Sequence, residues 1–291
     1  MRSVKQFILV LMVAGMSVAI SACGSSSTNT SNQSLIQQIK ASGQLKVGFA
    51  EDQPLQYQDP STHVWEGIYV DLMADWATTL GVKLVSTPTT WDNMIAGLQA
   101  KQYDFASALN ARPARALAVT FSNPVTTELG TFDVYSTKSN ISTFAQLNVA
   151  STTVCVPTGS AEDLTLTDAK FAVQIMRVAD DNTCRLALLA NRAQAIFDDW
   201  ESGGQMSSAN TGVGLLFPPT PMVNEGIAYA IRPGYTIDDL QALNVQISAF
   251  AANGLLAVSE KKWGSVNPLT YVVGTAPAYV TTLAALEFPS Q

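Results

Sequence analysis

Arg115 is the residue of this chain with the clearest chemical capability. It follows Pro113-Ala114 at the start of a helical stretch, just after the short apolar run Phe105 to Asn110. A guanidinium meets a carboxylate with two parallel hydrogen bonds. Its position, past the carboxyl end of a buried strand, is where open α/β sheets keep their ligand crevices. By position alone a surface arginine on a first helical turn is the plainer alternative. Thr158-Gly159-Ser160 is a second anion-facing feature, set between the strand Val154-Cys155-Val156 and a helix. Free backbone N–H groups at such a junction bind anions, and the Ser160 hydroxyl also suits a helix N-cap. Trp91 stands in front of a helix carrying Met94, Ile95 and Leu98. It can stack on a ligand or face a cation, or pack into the core as most tryptophans do. The one histidine, His63, lies in a Pro/Ser/Thr loop without a ligand-spaced cluster, so no metal is expected.

The elements that must hold these groups alternate. Leu45, Val47 and Phe49 have the period of a strand. A helix from Gly67 to Leu80 follows, with Leu72, Met73, Trp76 and Leu80 on one face, and Gly81 stops it. Val82 to Val85 is the next strand, and then comes the Met94 helix. A second series starts near Gly130 and runs through Val154-Cys155-Val156, the helix after Ser160, a helix beginning at Cys184, and Ala195-Ile196-Phe197. Gly226 to Ile231 reads as a further strand. A helix from Asp238 carries Leu240, Leu243, Ile247 and Phe250. This alternation argues for an α/β fold with a mostly parallel, helix-covered sheet.

The first residues give an address. Arg2 and Lys5 precede an apolar run from Phe7 to Ile20, and Ser21-Ala22 lead into Cys23. That is the form of a secretory signal, and the run is short of the roughly 20 apolar residues a bilayer span needs. Ile-Ser-Ala before Cys23 resembles a lipobox, which implies a signal peptide over 1–22 and a diacylglyceryl-modified Cys23. Residues 23–42 are then expected to be lipidated cysteine and flexible tether, polar from Gly24 to Ser34. The chain has 291 residues and a net charge of −7, and losing Arg2 and Lys5 takes it two units lower. Such an acidic protein is a poor partner for nucleic acid. Cys155, in an apolar strand, and Cys184, at a helix start, are expected to pair in an exported chain, with buried free thiols as the alternative. Closing a loop of about 30 residues adds roughly 3–4 kcal/mol in the chain-entropy model.

The stretch from Trp91-Asp92 through Tyr103-Asp104 and Pro113-Ala114-Arg115 to Phe121-Ser122-Asn123-Pro124 resembles the signature of the bacterial extracellular solute-binding proteins, the polar amino-acid-binding family. Asn244 through Asn253-Gly254 to Lys262-Trp263 resembles that family's closing element. The resemblance implies a periplasmic-binding-protein-like fold, two α/β lobes joined by two hinge strands. Lobe 1 would span 43–127 plus 228–265 and lobe 2 128–227, leaving 266–291 as a tail without a reading. It implies a monomeric, lipid-anchored, extracytoplasmic protein that hands a polar amino acid or analogue to ABC permease subunits, without catalysis or cofactor. A cyclohexadienyl-dehydratase-like enzyme, with Asp52 or Glu51 as proton donor, and a sensor for a membrane kinase are the rival readings.

By the same resemblance Arg115 takes the ligand carboxylate, and Ser160 belongs to the lobe 2 segment that closes over it. Asp199 takes the ammonium, with Asp198 as the alternative should Asp199 only cap a turn. Trp91, Asn110, Ala108, Asp52 and Tyr57 fall at cleft-lining positions. Several depart from the family pattern: Asp52 and Leu55 stand where aromatics are usual, Ala108 lacks a hydroxyl, and Arg112 replaces a capping Thr. Glu51, Asp52 and Trp91 hint at a basic side chain in the ligand, whereas an inward Arg112 would suggest an acidic one.

Overall fold

The computed structural model describes residues 33–287. Its strands are β1 (Gln44–Phe49), β2 (Tyr57–Gln58), β3 (Trp65–Glu66), β4 (Lys83–Pro88), β5 (Phe105–Asn110), β6 (Thr120–Phe121), β7 (Thr126–Tyr135), β8 (Thr153–Pro157), β9 (Gln174–Val178), β10 (Ala195–Asp199), β11 (Val213–Leu216) and β12 (Asn224–Ile231). Strand order is β4-β1-β5-β12-β7-β10-β8-β9, with β11 beside β7, β6 beside β12, and β2 and β3 forming a separate ribbon. Pairing is parallel for β1 with β4 and β5, and for β8 with β9 and β10. β7 and β12 run antiparallel to their neighbours. The alternating pattern thus gives two small parallel sheets, with the two antiparallel strands connecting them.

Two sets of side chains are buried apart from each other. Val47, Phe49, Leu72, Trp76, Leu98, Phe105 and Phe250 belong to one core. Phe132, Val134, Val156, Leu166 and Phe197 belong to the other, flanked by Leu129, Trp200 and Leu215. The chain crosses between them where β7 and β12 pair, Thr126 opposite Ile227 and Leu129 opposite Asn224. These are two α/β lobes joined by two hinge strands.

Two expectations need correction, and one segment left without a reading gains a structure. Residues 35–42 are helix, not tether: Leu35–Ser42 starts in a capping box made by Ser34 and Gln37 and buries Leu35 and Ile39. Asp239 fixes it, accepting from the Leu35 and Ile36 amides at 2.8 and 3.0 Å. The helix holding Cys184 begins earlier, at Asp181, because the Asp180 side chain caps the Thr183 amide. The segment after 265 is folded: Pro268–Tyr271 forms a 3-10 turn and Ala278–Glu287 a helix, placing Val280 and Ala284 in the cluster around Trp200. Cys23 and the signal lie outside the described residues. Cys155 and Cys184 are joined as a disulfide across a Cα separation of 5.5 Å, tying β8 to the helix Asp181–Leu189.

Candidate functional site

Between the lobes, at the carboxyl ends of β1, β5, β8 and β10, lies a small cavity. One lobe brings Asp52 and Leu55 from the loop after β1, Trp91 from the turn after β4, and Ala108 and Asn110 from β5. Ala108 takes a left-handed φ of 53°, at a bulge where the β5–β12 register shifts. Bulges of this kind re-aim neighbouring side chains, and here Asn110 meets the cavity. The hinge strands give Glu128 and Ile227. The other lobe gives Ser160, Ala161, Glu162, Asp181, Asp198 and Asp199.

Of the expected ligand residues, Asp52, Trp91, Ala108, Asn110, Ser160 and Asp199 come together here. Arg115 stands behind the wall. It is buried, donates to the Gly159 carbonyl at 3.0 Å, and makes only long contacts of 3.4 and 3.5 Å to Asn110. Tyr57 is elsewhere: it lines an adjoining cavity with Glu51, Gln53 and Arg185 that shares Asp52 with the first. Arg112 does not turn into the cavity. It is paired with Glu225 at 2.7 Å and donates to the Ala161 carbonyl and the Thr165 hydroxyl.

Local structure explains the lobe 2 wall. Ser160 caps the helix Ala161–Ala169 by accepting from the Asp163 amide. Asp199 caps the helix Trp200–Ala209, accepting from the amides of Glu201 and Ser202. Asp198 accepts from the Asp199 amide with Oδ1, while its Oδ2 has no hydrogen-bond partner. The lobes meet around the cavity. Trp91 Nε1 donates to Asp181 at 3.0 Å, the Ser202 hydroxyl to Asp52 at 2.6 Å, and Arg185 to the Gln53 carbonyl. Gly159 packs against Asp92 of the other lobe. A Cβ there would lie 2.8 Å from Asp92 Cα, and its φ is +78°, so only glycine fits both the backbone angle and the gap.

Burial decides the charge state of this wall. Asp52, Asp198 and Glu128 are pushed well above the usual carboxylate range, first by loss of solvent and then by neighbouring carboxylates. Asp181 is pushed up to about 7 by burial, against the Trp91 hydrogen bond that favours its charged form. Asp199 is raised less clearly because its cap bonds oppose its burial. Glu128, Glu162 and Asp181 were not anticipated as site residues. Only Glu128, an acid inside the apolar run Thr126–Tyr135, carried a local signal, since a charge in a buried strand asks for an explanation.

A family model for the bacterial extracellular solute-binding proteins, family 3, matches residues 45–266. The chain belongs to that family. Among curated relatives, the L-cystine-binding protein TcyA of Bacillus subtilis (strain 168) is 31% identical over 129 residues, covering 42% of this chain and 48% of the relative. A probable amino-acid ABC transporter periplasmic-binding protein of Sinorhizobium fredii is 31% identical over 93 residues, 31% of each chain. The matched stretches thus span about half or less of these relatives. Among solved structures, an ancestral amino acid-binding protein described as a precursor of cyclohexadienyl dehydratase superposes with a TM-score of 0.71. It is 26% identical, covering 79% of this chain and 99% of that one.

Proposed function

We propose that this chain is the substrate-binding component of an ABC importer, held outside the cytoplasm by lipid on Cys23, and that it captures a polar amino acid or related zwitterion by lobe closure. One observation carries the reading: a polar cavity walled by two separately cored lobes that hydrogen-bond to each other at its rim. A ligand touching both walls stabilises the closed arrangement, and the permease subunits read that shape. In this assignment lobe 1 takes residues 43–127 plus 228–265, with the helix Leu35–Ser42 docked on it, and lobe 2 takes 128–227 with the 266–287 segment.

Arg115 takes the ligand carboxylate beside Asn110 and Ser160, and Asp199 takes the ammonium. The long contacts of Arg115 Nη1 to Asn110 are the kind a carboxylate displaces, because charge-assisted pairs are shorter and stronger. Trp91, Asp52 and Ala108 bound the side-chain space, and Tyr57 is left out of the site. Calorimetry with a panel of amino acids tests this. Arg115→Ala should weaken the tightest of them by roughly 2–5 kcal/mol, since its carboxylate is then enclosed unpaired; unchanged affinity would remove Arg115 from the site.

A second reading has an observation behind it. Burial pushes the carboxyls of Asp52, Glu128 and Asp198 well above their usual range, the direction a cyclohexadienyl-dehydratase-like proton donor needs. Turnover of prephenate or arogenate supports it, and no turnover with tight amino-acid binding removes it.

A further inference from the structure

Six carboxylates line the cavity: Asp52, Glu128, Glu162, Asp181, Asp198 and Asp199. Among the described residues no lysine, arginine or histidine lines it with them. They form two groups. In the first, one oxygen each of Asp52, Asp181 and Asp198 lies within 4.8 Å of the others. Glu128 and Glu162 interact directly and form the second, and Asp199 neighbours both groups. Each group contains an oxygen with no partner on a side chain more than nine-tenths buried: Asp198 Oδ2, 4% exposed, and Glu128 Oε1, 7% exposed. Unpaired buried acceptors are costly. Two of them on residues that line one cavity ask for donors carried by a ligand.

A zwitterion with a neutral side chain supplies one cation and brings a carboxylate of its own. Arg115 offsets that carboxylate, and Arg185 acts on Asp52 and Asp181 from outside the lining. One ammonium on Asp199 also answers the neighbouring Glu128–Glu162 group, but would leave Asp52, Asp181 and Asp198 facing an uncharged side chain. We infer that the physiological ligand carries at least two amine or guanidinium positive charges, one for each acid group. The inference rests on the binding-protein reading above and narrows it. A single metal ion fits less well. Asp52 Oδ1 and Asp181 Oδ2 are already taken by Ser202 and Trp91.

The test is thermal shift and calorimetry on the intact protein with L-arginine, L-lysine, putrescine, spermidine, L-glutamine, L-cystine and Ca²⁺ alone. The expected result is binding of L-arginine or L-lysine at least tenfold tighter than of L-glutamine or L-cystine. Asp198→Asn and Glu128→Gln should each weaken it tenfold or more while keeping the unliganded melting point. L-glutamine or L-cystine binding as tightly overturns the inference and leaves the amino-acid reading standing. Putrescine or spermidine binding without any amino acid supports the inference and removes the amino-acid reading. Ca²⁺ alone giving a shift that Asp198→Asn abolishes, with no organic cation bound, overturns the inference, and so does no shift from any compound.

Discussion

Asp181 shows what single residues contribute here. Its carboxyl is raised from 3.8 to about 7, mainly by burial, and it faces Trp91, Arg185, Glu162 and Asp199. The unfolded chain ionises this group first, so folded stability without ligand falls as pH rises from about 4 towards 7. A cation reverses the sign, because it binds the ionised carboxylate. Affinity for L-arginine or L-lysine is therefore expected to rise between about pH 5.5 and pH 8, with proton release on binding. Calorimetry in buffers of different ionisation enthalpy reads that release directly, and affinity independent of pH would contradict the account. Trp91 was legible as a cleft position because it opens a recognisable run of residues. Three of the acids were not: Glu128, Glu162 and Asp181 come from three separate segments, and only the fold makes them neighbours. Arg115, expected at the cavity, stands behind its lining, and its bonds to Gly159 and Asn110 depend on the opposite lobe and on a turn that local spacing does not encode.

Elements with regular apolar spacing were readable, and those stabilised by caps were not. The helix Ile68–Leu80 ends at a left-handed Gly81 as its pattern requires. Leu35–Ser42 has only two buried residues and looks like polar tether. Its helical state comes from Ser34, Gln37 and the distant Asp239, which also closes the capping box of Ile237–Ala252. Burial would raise the Asp239 carboxyl, but hydrogen bonds from Thr236, Ile36 and Leu35 hold it below its usual value. Its stabilisation is present above the unfolded pKa and is lost as pH falls through the folded one. Asp239→Ala removes caps from two helices and should cost about 1–2 kcal/mol per cap, read as a lower denaturation midpoint at neutral pH. An unchanged midpoint would mean that the terminal helix docks by its leucine and isoleucine alone. The final helix escaped notice for a related reason. Its contacts include Trp200 and Leu215 in the second lobe, which are distant from it in sequence.

At the scale of the whole molecule, the alternation of strand and helix patterns gave the α/β class and the family resemblance implied two lobes and two crossing strands, but neither gave the closeness of the lobes. Gly159 carries that closeness. Gly159→Ala places a methyl against the Asp92 backbone and forces a left-handed alanine, a strain on the order of 1 kcal/mol. The variant should fold with its disulfide intact yet bind ligand at least tenfold more weakly, because the lobes cannot seat. Small-angle scattering at saturating L-arginine should then show a more extended particle than the parent protein, and identical profiles would remove Gly159 from closure.

A crystal structure of the protein grown with L-arginine tests the central claim most directly. The account predicts one ligand wholly enclosed between the lobes, its carboxylate on Arg115, its ammonium on Asp199 and its guanidinium against Asp52, Asp181 and Asp198. Ligand density confined to the adjoining Tyr57–Arg185 cavity, or touching one lobe only, would contradict it.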